Sequence, residues 1–402
     1  MTEHPRTEPP PGFTRGVLHG IRVADFSRVL AGPYATMMLA DFGADVIKIE
    51  SPDGDETRAW MPPVDAGGGS SYFGSVNRGK RSIVCDLTTD AGLARAKLLA
   101  ESADVVVENF RPGVMARFGL DFESVRAANP GVVYCTITGF GSGGGAQLAG
   151  YDLLVQALGG LMSITGHPEG GPTKVGVALV DVLTGLNAFS GILLGLRARD
   201  AAASPEAQHI EVDLLSTLLA GLVNQSGATL ATGISPSRLG NAHPSIAPYE
   251  VFRAADRELV IAVGNDKQFA VLAATLGLDG LAEDPRFARN PDRVAQRHEL
   301  HAAIEGALAG DGAASWSARL GAVGVPAGLV NTIGEAFDLA ASLGLETVVE
   351  VPDPDGDASL RQVANPIHLS GSAARYDRIP PQLDEHADAE WLPREASEEG
   401  TP

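Results

Sequence analysis

From Gly20 to Phe140 the chain alternates short, nearly unbroken apolar runs with longer stretches whose apolar residues recur at helical spacing. GIRVADF, ADVIKIE, RSIVCDL, ADVVVENF and GVVYCTITGF each predict a strand. AGPYATMMLADFG and AGLARAKLLAES predict helices between them. Strands alternating with helices predict βαβ units, and parallel strands buried on both faces read as continuous apolar runs. Ligands on such sheets bind beyond the carboxyl ends of the strands. The loops to watch are therefore DFSRVLAGP, VENFRPG and TGFGSGG, whose Gly and Pro permit tight turns and close backbone approach. None is a G-x-G-x-x-G fingerprint opening a helix, so no nicotinamide cofactor is expected.

Residues 185–223 read as helical and apolar, interrupted by RDAAASPEAQHIEVDLL, whose Pro/Ser/Ala-rich part predicts a loop or hairpin. The texture changes near Asn224. YEVFRA and ELVIAVG predict short strands, and RFARNPDRVAQRHELHAAIEGAL a charged helical stretch. The expected organisation is α/β. A leader spans 1–15, and a large Rossmann-like domain with a parallel sheet spans 16–223. A smaller α+β domain follows at 224–330, a return to the large domain at 331–393, and an acidic tail at 394–402.

Within KVGVALVDVLTG, seven of the eight residues from Val175 to Val182 are apolar or glycine, and the eighth is Asp181. A carboxylate after an apolar run predicts a helix N-cap, accepting hydrogen bonds from free backbone N–H groups. Shielded there, it is also poised as a nucleophile. Thirty residues upstream, AGYDLLVQALGGLMSITG offers Tyr151 as a hydrogen-bond donor and Gln156 on the same helical face. Gly159 and Gly160 would let backbone N–H groups approach a ligand and stabilise an oxyanion.

Charge narrows the partners. The 402-residue chain carries a net charge of −20, so no global basic field attracts nucleic acid or an anionic membrane. A local basic pocket for a phosphorylated ligand remains compatible with it. No run of about 18 apolar residues predicts a membrane span, and the polar, proline-rich start has no apolar core of a signal peptide. Cys85 and Cys135 lie in apolar runs without metal-ligand spacing, which predicts core positions, a reducing cytoplasm and no metal site.

Several motifs together resemble the class III (CaiB/BaiF, formyl-CoA transferase-like) CoA-transferases. They are LAGPYATMMLADFGADVIKIESPDGDETR, SVNRGKRSIVCDL, VVVENFRPGVMARFGL, TGFGSGGG, AGYDLLVQALGGLMSITG and VGVALVDVLTG. The resemblance implies an interlocked, ring-like homodimer and no permanently bound cofactor, with coenzyme A arriving as part of an acyl-CoA substrate. It places the catalytic aspartate on Asp181. CoA contacts fall on Val29, Ala31, Cys85, Asn109, Phe110 and Arg117. Thr138 and Ser51 stand where formyl-CoA transferase has basic contacts, which leaves Arg28, Lys48, Arg78, Lys80 and Arg81 to supply charge. That enzyme's glycine-rich loop aligns with VGNDKQF, where only Gly264 remains glycine and Gln268 is a polar contact.

Racemases of α-methylacyl-CoA thioesters share the fold and need two acid/base groups. They carry His where this chain has Tyr151, and a tyrosine, with an ordinary pKa of about 10, suits that role poorly at neutral pH. Transfer is therefore the first reading, with racemisation or a non-catalytic CoA-binding subunit as alternatives. GLMSITG, GVALVDVLTGL, NAHPSIAPYEVF and VGNDKQF look most like succinyl-CoA:glutarate-type transferases. A dicarboxylate acceptor would need a donor cluster, for which His243, Ser245 and Arg238 are the candidates.

Overall fold

In the computed structural model, residues 16–354, 356 and 358–394 are described. The leader at 1–15 and all of the acidic tail beyond Arg394 lie outside them. The chain divides into two compact units. The larger comprises the residues up to Gly159, Gly176–Gly227 and those from Glu346 onward; the smaller comprises Gly160–Val175 and Ala228–Leu345. The division thus differs from the boundaries expected at 223 and 330. The segment 160–175 belongs with the smaller unit, which continues through a capped helix, Ile333–Ser342, to Leu345.

The larger unit is built on six parallel strands: β1 (Arg22–Asp25), β2 (Asp45–Glu50), β3 (Lys80–Val84), β4 (Val105–Glu108), β5 (Val133–Thr138) and β6 (Gln208–Asp213). Their order, β3-β2-β1-β4-β5-β6, is that of the doubly wound dinucleotide-binding fold. Five of the six coincide with the apolar runs. The sixth follows the Pro/Ser/Ala-rich segment and lacks a continuous apolar run, because QHIEVD alternates in burial at the sheet edge and carries three charged or amide residues. At the other edge, β3 is covered by the C-terminal segment: Val84 N–H donates to Asp384 (2.7 Å) and His386 N–H to Ser82 carbonyl (2.9 Å). This satisfies backbone groups that would otherwise template another strand. A hairpin of β10 (Val348–Pro352) and β11 (Ser359–Val363) completes this unit.

The helices include α1 (Ala31–Asp41), α2 (Asp90–Ser102), α3 (Asp152–Leu158) and α4 (Leu179–Ala201), of which α1 and α4 contribute residues to the cleft described below. α1 is buried along nearly its whole length and lies against α4. With 23 residues, α4 is long and apolar enough to cross a membrane by length and composition. Asp181, Thr184, Asn187 and Ser190 divide it, so it offers no run of about 18 apolar residues. α4 packs on α1, β5 and β6, which is the behaviour of a core helix.

The smaller unit has an antiparallel sheet of β7 (Tyr249–Arg253), β8 (Glu258–Ala262) and β9 (Ala327–Leu329), packed by helices such as Asp266–Thr275 and Arg297–Leu308. Its core includes Phe252, Phe269, Phe287 and Trp316. Arg293, 1% exposed, donates to the carbonyls of Ala247 and Phe287 and pairs with Asp266, so its buried charge is fully employed.

Candidate active site

The strand order reverses between β1 and β4, and the loops leaving these strands diverge there. A cleft opens at that point, enclosing about 920 Å³ of atom-free space, part of it open to bulk solvent. Val29 and Ala31 line it after β1, Asn109 and Phe110 after β4, Gly139 after β5, and Tyr151 and Asp181 close it. One wall depends on two glycines. A β-carbon on Gly139 would lie 2.4 Å from the Gly150 α-carbon, so the two backbones cross where no side chain fits.

Asp181 is 9% exposed and sits in the first turn of α4. It is not the N-cap: the helix starts after Ala178, and Gly176–Ala178 form no strand. The cap comes from α3 instead. Asp152 accepts from the N–H groups of Val180 (2.8 Å) and Asp181 (3.3 Å), and its other carboxylate oxygen accepts from the Gln156 amide (2.6 Å). Gln156, 1% exposed, therefore acts by orienting Asp152. This leaves the Asp181 carboxylate unspent on capping. Burial, and then the negative charge of Asp152, push its pKa up to about 7. A carboxylate so destabilised when ionised is a stronger nucleophile than one held by donors.

The other expected residues divide. Asn109 lines the cleft but is engaged with the loop after β1, accepting from Arg28 N–H (2.9 Å) and donating to Arg28 carbonyl (2.7 Å). Phe110 carries the Arg28 guanidinium 5.0 Å from its ring centroid. Cys85 is buried in the core behind the sheet, and neither it nor Arg117 lines the cleft. Gly159 is no oxyanion donor, because its N–H is donated to the Val155 carbonyl (2.8 Å) at the end of α3. Gly160 begins the smaller unit with φ 88°, a left-handed position that suits glycine.

Within the smaller unit, the Gln268 side chain folds back to accept from Gly264 N–H (2.9 Å). The His243 ring accepts from Ser245 N–H (3.1 Å), and Arg238 donates to the carbonyls of His167 and Gly170. Gln268 and His243 thus hold their own loops, and Arg238 ties its segment to residues 167–170.

The proposed phosphate-binding cations need the largest correction. Lys48 and Lys80 are fully buried and paired with Asp55 and Asp25, each at 3.0 Å. Arg78 pairs with Asp41 and Arg81 with Asp45. Of the five, only Arg28 lines the cleft, joined there by Arg111, which the sequence reading did not single out. Tyr72 was missed as well. Its phenol is pushed up to about 12 by burial and then by the Asp181 charge, which places its hydroxyl in the field of the nucleophile. It stands edge-on to Trp60 with centroids 5.0 Å apart. No periodicity marks residues 51–79, so neither aromatic carried a signal.

Among the described residues no cluster of His, Cys, Asp and Glu could hold a metal ion. A buried, unspent carboxylate at the switch point of this fold fits acyl transfer, and comparison with known proteins agrees. CoA-transferase family III matches residues 18–387. The chain belongs to CoA-transferase family III. It is 45% identical over 400 residues to the succinate–glutarate CoA-transferase of Agrobacterium fabrum, covering 96% of each chain. It is 39% identical to the acetyl-CoA:oxalate CoA-transferase of Acetobacter aceti, covering 95% of this chain and 97% of that one. A solved CaiB/BaiF family protein from Brucella suis superposes with a TM-score of 0.83 at 42% identity, covering 93% of this chain and 98% of that one. This family III CoA-transferase therefore takes acyl-CoA and carboxylate substrates.

Proposed function

We propose that this CoA-transferase moves CoA from succinyl-CoA to a dicarboxylate such as glutarate through covalent intermediates on Asp181. The unspent, buried carboxylate in the cleft is the observation that carries this reading. An Asp181 oxygen attacks the thioester carbonyl; the C–S bond breaks and CoA thiolate leaves, giving a mixed anhydride. The thiolate attacks the aspartyl carbonyl, expels succinate and forms an aspartyl-CoA thioester. The acceptor carboxylate attacks that thioester, releasing thiolate and forming a second anhydride. Thiolate then attacks the acceptor's acyl carbon, and Asp181 leaves as carboxylate. Each step exchanges one acyl bond for another, so protons balance and no ATP is consumed. The named activities of the relatives, glutarate among them, support the choice of substrates.

Brief incubation with succinyl-CoA and no acceptor, followed by peptide mapping by mass spectrometry, should show an acyl or CoA adduct on the peptide containing Asp181. An adduct confined to another residue would sink the mechanism. A screen of dicarboxylates beginning with glutarate then fixes the acceptor.

The same reading includes an interlocked homodimer in the cytoplasm. Apolar side chains stand open on the larger unit, including Leu158 on α3 and Leu194 on α4, the latter 71% exposed. A second copy of this chain would cover them. Light scattering should give twice the 41.6 kDa chain mass, and a monomer at micromolar concentration would refute the dimer. Two unpaired, buried cysteines suit a reducing compartment.

A further inference from the structure

Val29 is the only non-glycine residue in the cleft wall with a left-handed backbone, at φ 69° among the described residues. A β-branched residue in that region is an outlier that persists only when its surroundings enforce it. Three side chains from three other parts of the fold do so. Lys48 on β2 donates to Ser27 carbonyl (2.8 Å). Asn109, after β4, brackets the Arg28 peptide from both sides. Asp55, which also caps the short 3-10 helix Glu56–Ala59, accepts from Val29 N–H (3.2 Å).

Asp55 in turn is held by Lys48 (3.0 Å), by its own N–H on Glu50 (2.9 Å) and by the Thr57 hydroxyl (2.7 Å). Both members of the Lys48–Asp55 pair have side chains with no exposure. A buried pair is weak evidence for stability, since apolar replacements often serve as well. Its retention here coincides with a strained peptide facing the substrate.

We propose that Lys48 and Asp55 are positioning residues that hold the strained Val29 peptide as the wall against which the acyl-CoA is set for attack. Neither touches substrate; both act through the loop 27–29. The inference rests on the cleft being the acyl-CoA site.

The test is a double-mutant cycle in steady-state CoA transfer, using succinyl-CoA and the acceptor that supports turnover in the screen. Asp55→Asn should lower kcat by at least about tenfold, because small misplacements near the reacting atoms cost this much or more. KM for succinyl-CoA should change less than about threefold. Glycine holds a positive φ without enforcement. Adding Val29→Gly to Asp55→Asn should therefore restore at least about threefold of kcat, whereas Val29→Gly alone should not raise it. A merely structural pair predicts additive losses, with no recovery.

Unchanged kcat in Asp55→Asn, or a loss that Val29→Gly leaves untouched, overturns the proposal. Should Asp55→Asn not fold, Lys48→Met/Asp55→Asn removes both charges and leaves neither unpaired, and the same cycle is run on it. Asp181→Asn in the same assay separates the two readings. If Asp181→Asn is inactive and the clamp variants are normal, only the clamp inference fails. If Asp181→Asn turns over normally, the reading of the cleft fails.

Discussion

Asp181→Asn should abolish CoA transfer and at the same time raise the stability of the fold at alkaline pH. Loss of the nucleophile should cost at least about 10³-fold in kcat, since the neighbouring Asp152 carboxylate is already held by the α4 N–H groups and by Gln156. The stability change follows from burial. The folded pKa of Asp181 is raised to about 7, first by burial and then by Asp152. A carboxylate with a raised folded pKa favours folding fully below its unfolded value of about 3.9, and this contribution is lost as pH rises through about 7. Above that, keeping Asp181 ionised costs on the order of 4 kcal/mol, part of which a neutral asparagine recovers. Thermal unfolding at pH 8 should show the variant melting higher than the parent, with the gap closing toward pH 4. An equal or lower midpoint at pH 8 would contradict the electrostatics. The same shift makes transfer depend on the ionised form, so kcat/KM should climb with pH around a midpoint near 7. Asp152→Asn removes the second cause and keeps the capping oxygen, so its midpoint should move to lower pH while burial holds it above 3.8.

The fold was legible where physics leaves a local trace. Parallel strands buried on both faces must be apolar throughout, and β1 to β5 declared themselves that way. β6 pairs through backbone groups at an edge and keeps polar side chains, so its sequence looks like a connection. The site shows the same contrast. Asp181 stood out because a charge in an apolar run needs a reason. Its cap did not, because the acceptor lies 29 residues upstream on another helix and only folding brings it there. Lys48 and Lys80 misled for a related cause. Their charge reads as available to a ligand, yet Lys48 on β2 and Lys80 at the start of β3 are fully buried and their ammonium groups are taken up by Asp55 and Asp25. Tyr72 gave no sign, since its coupling to the Asp181 charge arises only where folding brings its short helix, Ser71–Gly74.

Gly185→Ala should lower both activity and stability, although it places a good helix former in the middle of a helix. The gain expected from propensity alone is about 1 kcal/mol. Packing opposes it. A β-carbon at Gly185 would lie 2.7 Å from the Ala31 carbonyl oxygen and 3.1 Å from the Tyr34 ring, and a backbone carbonyl at the start of α1 has little room to move. Overpacking of this kind costs roughly 1–3 kcal/mol. The geometric consequence is larger. Gly185 lies one turn beyond Asp181, and Ala31 opens the helix that lines the opposite side of the cleft. Forcing the two helices apart by even ~1 Å separates nucleophile from substrate, a displacement that costs on the order of 10² in rate. Gly191→Ala is the matched control. Its β-carbon would meet the Ile210 Cγ2 methyl on β6, at 2.9 Å, so any packing loss there leaves the α1–α4 contact alone. Gly191→Ala should therefore keep its kcat even where its melting temperature falls, while Gly185→Ala loses most of its kcat with a lowered midpoint. Equal behaviour of the two variants would show that the α1–α4 contact does not set the cleft.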